Sequence, residues 1–205
     1  MNLRQTNKVN RQKLIVSNAA RLFSSIGYDL TSIEMVADRS NVSPATIYNN
    51  FENKTGLLLA VLIDEGEDAQ QIGERIISQR KKNDTSIISR LIEMYVCHPM
   101  EFMNKTCWRQ ALAASTGSSN KKFTQAYQRV DDRLGDLLIN LMHCLYAEQL
   151  LKAEVDPQSL GEIIWNNVNQ MFTNFISDEA MSLEELKNAL HRQTTALMVL
   201  ALRKD

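Results

Sequence analysis

The sequence predicts an all-α protein, and three observations carry that prediction. Helix breakers are scarce, with seven Gly and three Pro in 205 residues. Good helix formers such as Leu, Ala, Ile, Gln, Glu and Lys are plentiful. Apolar residues recur three and four positions apart along most of the chain, the period of a helix that buries one face. Together they give about nine helices: three short ones in an N-terminal domain over 1–55, then a larger helical domain over 56–205.

The first helix is read from Arg11, with Leu14, Ile15, Ala19, Leu22, Phe23 and Ile26 on its apolar side and Gly27 as its C-terminal stop. Thr31 or Ser32 can cap the second, whose inner face is Ile33, Val36 and Ala37. Ser43 caps the third, with Pro44 at the first helical position, where a missing amide hydrogen costs nothing. Asn53-Lys54-Thr55 opens a long amphipathic helix expected to run from Gly56 to about Lys82. Later helices are expected near 85–104, 107–115, 120–150, 157–177 and 182–203. Their separators are Pro99, the polar run at 116–120, Asp156-Pro157 and Ser177 to Ser182.

Bulk properties exclude several classes. No stretch approaches the roughly 18 apolar residues of a membrane span, and the start, MNLRQTNKVNRQK, lacks the apolar centre of a secretory signal. A cytoplasmic protein without membrane partners is therefore expected. Three cysteines, Cys97, Cys107 and Cys144, cannot all pair and have no metal-knuckle spacing. The net charge of −1 hides a split. Residues 1–55 carry seven basic and four acidic residues, a net +3, and the remainder a net −4. A basic end on an acidic body suits a polyanion gripped at one end. The segment before Arg11 is either an untethered tail or an arm adding backbone and minor-groove contacts.

The segment from Thr31 to Lys54 carries the chemistry. Two short helices cross steeply when the residue at their contact is small and the turn between them is tight. Ala37 supplies the small contact. Asn41 supplies the turn, because Asn, after Gly, most readily takes a left-handed backbone. Val36, Val42 and Ile47 fill the angle. Ser43, Ala45, Thr46, Tyr48, Asn49 and Asn50 remain as an outward face without an acid. Such a face suits a DNA major groove, with Asn pairing to an adenine edge and hydroxyls reaching phosphates.

IVSNAARLFSSIGY followed by TSIEMVADRSNVSPATIYNNFENKTGLL resembles the signature of TetR/AcrR regulators. The resemblance rests on Ala19, Ala20, Leu22, Phe23, Gly27, Thr31, Ala37, Val42, Ser43, Thr46, Tyr48, Phe51, Lys54 and Leu57, and covers about the first quarter of the chain. The sequence departs from the pattern at Asn41 and Ala45, where Gly is frequent, at Asn50, where His is frequent, and at Val36, which replaces Ile. The resemblance implies a helix-turn-helix in which Thr31, Thr46, Tyr48 and Lys54 hold phosphates and the face from Ser43 to Asn49 meets bases. It implies a transcriptional regulator, a repressor rather than an enzyme, that needs no cofactor.

A single short reading helix spans too few base pairs, so a palindromic operator and a homodimer are expected. The apolar stripes of the last two helices, Leu160, Ile164, Val168, Met171 and Phe175 and then Leu186, Leu190, Leu197 and Leu200, are wide enough to pair with a second copy. A small-molecule effector is expected within the larger domain. Its candidate contacts are Tyr95, Met103, Trp108, Tyr127, Trp165 and Asn169, which mix apolar bodies with polar tips. The alternative is a metal- or redox-responsive regulator in which Cys97-His98 and His143-Cys144 converge. No Ser-His-Asp order, phosphate loop or HExxH motif stands in the sequence.

Overall fold

In a computed structural model, which describes residues 3–117 and 121–203, every described element is helical. The order is α1 (Leu3–Ile26), α2 (Ile33–Ser40), α3 (Pro44–Phe51), α4 (Lys54–Ser78), α5 (Ile87–Phe102), α6 (Lys105–Gly117), α7 (Lys121–Ala147), α8 (Pro157–Ser177) and α9 (Leu183–Ala201). The polar run expected between α6 and α7 lies partly outside the described residues. Two expectations are corrected. The segment before Arg11 is not a free arm, because α1 is helical from Leu3. Its residues lack an apolar stripe but contain no breaker, and helix propensity extends the helix outward. Pro99 does not separate elements; it sits buried inside α5, one turn from that helix's end.

The chain divides into two compact units: Met1–Glu65 with Met100–Arg129, and Gly66–Pro99 with Val130–Asp205. In the first, α1 buries Ile15, Ala19 and Phe23 completely. Gly27 ends this helix at φ +92°, a backbone that L side chains rarely adopt. Ser32 caps α2 by accepting from the Met35 amide at 3.2 Å. Ala37 is fully buried, and the chain then turns at Asn41, with φ 53° and ψ 48°. The Asn41 amide donates to the Asp38 carbonyl at 3.2 Å and the Val42 amide to the Ala37 carbonyl at 3.0 Å. These two bonds satisfy carbonyls that the end of α2 would otherwise leave bare. Asn18 locks the corner: 5% exposed, it donates to the Arg39 carbonyl and to the Ser40 hydroxyl at 3.2 and 3.1 Å.

Further along the same unit, the buried Cys107 thiol of α6 donates to the Phe23 carbonyl at the end of α1. Burial pushes this thiol up from its ordinary range. The cysteine therefore acts as a small packing group with one weak donor.

In the second unit α8 and α9 pack together, burying Leu160, Ile164, Val168 and Phe175 on one helix and Leu186, Leu190 and Met198 on the other. Asp156 caps α8 ahead of Pro157, and Ser182 and Glu185 form a reciprocal cap on α9. The end of α9 is pinned by a short bridge, the Lys152 amide to the Ala201 carbonyl and the Arg203 amide to the Leu150 carbonyl. Arg80 grips Glu148 with both guanidinium nitrogens, the longer bond being 2.9 Å, and the Asn83 amide adds a third contact at 3.3 Å. The Arg80 hydrogen bonds hold the Glu148 carboxyl down at about 2.

Two predictions follow from these contacts. Asn18→Ala removes both side-chain bonds at the α1–α2 corner and should cost about 1–3 kcal/mol in urea unfolding, whereas Asn41→Gly should be neutral or stabilising. Glu148 has a folded pKa below its unfolded one, so its contribution is present above pH 4.5 and is lost as pH falls toward 2. Glu148→Gln should flatten that acid limb of a melting-temperature profile; an unchanged limb would show that the fork contributes nothing.

Candidate functional site

The outward face of α3 follows from helical geometry. With about 100° between successive residues, Ile47 and Phe51 share one side. They are 0% and 4% exposed and hold the helix to the first unit. Ala45 and Asn49 then point away from it and Tyr48 sideways, and all three are exposed, Tyr48 by 47%. Ser43 is the exposed N-cap, accepting from the Thr46 amide at 3.3 Å, and its hydroxyl meets the Thr46 hydroxyl at 3.0 Å.

Asn50 takes a different direction from the one expected. It lies about 60° from Ile47 around the helix and turns inward. Its amide oxygen accepts from Gln12 of α1 at 2.9 Å, and its nitrogen donates to the Thr46 carbonyl at 2.6 Å. It braces α3 rather than adding to the outward face. Thr31 is also turned in: 1% exposed, with its hydroxyl on the Gly27 carbonyl at 2.7 Å and its amide on the Tyr28 carbonyl at 3.2 Å. Both of its donors serve the α1–α2 turn.

Lys54 is the first residue of α4, where unpaired amides already create positive potential. Its ammonium donates to the Asp29 carbonyl at 3.2 Å and stands 4.3 Å from the centre of the Tyr28 ring. Asn53 caps the same helix, accepting from the Gly56 amide at 2.8 Å. Between α3 and α4, Glu52 adopts φ 68° and ψ −46°, and the Asn53 amide closes on the Phe51 carbonyl at 2.8 Å. This three-residue γ-turn is strained, and it forces the chain out of α3 within a single residue.

The six residues expected to meet an effector fall in both units. Met103, Trp108 and Tyr127 belong to the first, where Met103 is 0% and Trp108 4% exposed, so both are core. Tyr95, Trp165 and Asn169 belong to the second and come together. The Tyr95 and Trp165 rings meet edge to face with centres 5.1 Å apart. The Tyr95 hydroxyl donates to the Leu134 carbonyl at 2.9 Å, and burial pushes that phenol far up. Asp131 of α7 is half-buried, and burial pushes its carboxyl up from the ordinary range. Sequence reasoning missed Asp131. The available signal was an acid beside the α7 stripe of Val130, Leu134, Leu138 and Leu141.

The alternative built on Cys97-His98 and His143-Cys144 is not supported. Cys97 is half-buried, Cys144 is exposed, and the His143 Nε2 lies 3.4 Å from the Gln158 amide oxygen. Among the described residues no three His, Cys, Asp or Glu side chains gather where they could hold a metal ion. Adjacent positions on a helix diverge by about 100°, so neither pair presents two ligands in one direction.

Comparison with known proteins agrees with this geometry. Residues 15–61 match the family model for bacterial regulatory proteins of the tetR family. The uncharacterized HTH-type transcriptional regulator YvkB of Bacillus subtilis is 35% identical over 81 residues, 40% of this chain and 43% of its own. YhgD of the same organism is 41% identical over 49 residues, 24% of this chain and 26% of its own. The matched stretch thus spans less than half the length of either relative. Solved structures extend the likeness across the whole fold. A transcriptional regulator from Saccharomonospora viridis in complex with choline has a TM-score of 0.73 at 17% identity, over 96% of this chain and 100% of that one. A TetR-family regulator from Pectobacterium atrosepticum gives 0.72 at 19%, over 98% and 95%. The regulator FadR of Bacillus subtilis in complex with stearoyl-CoA gives 0.66 at 16%, over 92% and 98%. Residues 15–61 thus match the tetR-family model, and the chain shares the fold of these solved regulators along nearly its full length.

Proposed function

We propose that the protein is a repressor that binds a palindromic operator as a homodimer and is released by a small-molecule effector. The observation that carries this reading is the outer face of α3, where Ala45, Tyr48 and Asn49 stand exposed on a helix anchored from behind by Ile47 and Phe51. A helix so held can enter a major groove without losing its own packing. Ala45 accommodates a thymine methyl, Asn49 pairs with a base edge, and Tyr48 and the Ser43 hydroxyl reach phosphate oxygens. Lys54 adds its charge at the N-terminus of α4, a place suited to phosphate. Arg11, Lys13, Arg21 and Arg39 are exposed in the same unit and raise its attraction for a polyanion.

The dimer reading rests on α8 and α9, where Ile163, Val199 and Leu200 are 54%, 61% and 69% exposed. Large apolar side chains left in water on two adjacent helices favour burial against a second copy, and twofold pairing gives the matched half-sites that a palindrome needs. The effector reading draws on the fold relatives solved with choline and stearoyl-CoA, and on the partly open aromatic cluster of the second unit. Binding there would favour a form whose two readers no longer match their half-sites, so occupancy falls as the population shifts. No described helix is long and apolar enough to cross a membrane, which suits a regulator acting in the cytoplasm.

Selection of bound DNA from a random pool tests the reading, and a palindromic winner is expected; recovery of sequences without twofold symmetry would overturn it. On that site Tyr48→Ala should weaken binding to all sequences alike. Asn49→Ala should instead erase preference at particular base pairs, by about 1–3 kcal/mol of discrimination. Val199→Glu with Leu200→Glu should shift the protein to monomer in sedimentation and reduce operator affinity. A dimer that persists through both changes would remove α9 from the interface.

A further inference from the structure

Two side-chain contacts fix how α1 lies along α3. Asn18 donates to the Ser40 hydroxyl, just before the turn into α3, at 3.1 Å, and Gln12 donates to Asn50, in the last turn of α3, at 2.9 Å. Passing back along α1 from Asn18 to Gln12 therefore follows α3 from its start to its end. The residues from Leu3 to Arg11 continue in that direction past the end of α3, for roughly 13 Å at a helical rise. Residues 6–11 are all exposed, so this overhang stands clear of the unit's core.

The side of α1 that faces the unit changes character along its length. Ile15, Ala19 and Leu22 lie on it and are buried. At the helical period the same stripe continues outward through Arg11 and Lys8, both of them exposed. Gln12, one turn along from Lys8, already reaches α3 from this side. No acid precedes Asp29 in the sequence, and among the described residues neither Lys8 nor Arg11 is paired. A stripe that merely faces water gains from mixed signs, since like charges one turn apart weaken a helix. Two cations on the α3 side of the overhang, carried past the end of α3, are placed for a polyanion that α3 touches. We propose that Lys8 and Arg11 form a phosphate clamp, gripping the backbone of the duplex just outside the half-site that α3 reads. This inference rests on the operator reading above and extends its contact surface beyond the reading helix. Lys13, about 140–160° around α1 from both, lies outside the clamp.

The test uses the full chain and the palindrome won from the random pool, made in two lengths. One duplex is cut at the outer edges of the half-sites, and the other carries about six further base pairs at each end, a span longer than the overhang. The unaltered protein should bind the longer duplex at least about tenfold more tightly at low salt. Lys8→Gln with Arg11→Gln should remove that difference. On the longer duplex it should also reduce the slope of log affinity against log salt by about 3–4, the value for two phosphates in each of two subunits. Lys13→Gln should weaken both duplexes alike. Asn10→Pro breaks α1 between Lys8 and Arg11 with every charge retained, and it should lose most of the length preference because the helix aims the clamp. A length preference that survives in the double variant or in full in Asn10→Pro would overturn the proposal. A preference for A·T pairs in the flanks would overturn it too, since phosphates carry no sequence. A palindrome bound equally at both lengths overturns the clamp and leaves the operator reading standing, whereas a selection that yields no palindrome overturns both.

Discussion

A helix of eight residues is too short to persist alone in water, so the reader depends on what holds α3 in place. Two side chains one turn apart, Ile47 and Phe51, do most of this, being 0% and 4% exposed. Their burial contributes about 1.5–3 kcal/mol each, enough to offset the cost of nucleating so short a helix. Ser43 fixes where the helix begins, and the γ-turn at Glu52 fixes where it ends. Because anchoring is confined to one side and the two ends, Ala45, Tyr48 and Asn49 carry no structural duty. Their identities are free to be set by whatever the helix touches.

The same division explains how much of the fold could be read from the chain. Asn41 was legible as a left-handed turn and Ala37 as the contact at the crossing because each is dictated by local sterics. The helix cap at Ser43 was legible for the same reason: the side-chain oxygen and the amide it accepts from lie within one turn. The start of α1 was not, since residues 3–10 have little apolar periodicity and their helicity rests on propensity and on continuity with the buried turns that follow. Chemical type alone puts Asn50 outward, whereas its angle of about 60° from Ile47 puts it on the inner side, where Gln12 donates to it. For a polar residue near a helix end, angular position is the better guide.

Long-range polar contacts form the less legible class. Asn18 reaches across more than twenty positions to the end of α2, and Arg80 reaches Glu148 from another helix end. Nothing in local spacing marks either partner, because such pairs depend on how helices cross.

The uneven charge along the chain bears on how a polyanion would meet it. A net +3 over residues 1–55 and −4 over the remainder give the ends of the sequence opposite preferences. A basic segment attracts polyanions, and an acidic one attracts small cations and repels polyanions. At physiological salt such fields reach only about 8 Å, so they guide encounter and contribute little to final affinity. Discrimination must then come from groups removed from water. On α3, under the proposed operator contact, these would be Ala45 and Asn49, exposed in the unbound protein and covered only when a groove closes over them.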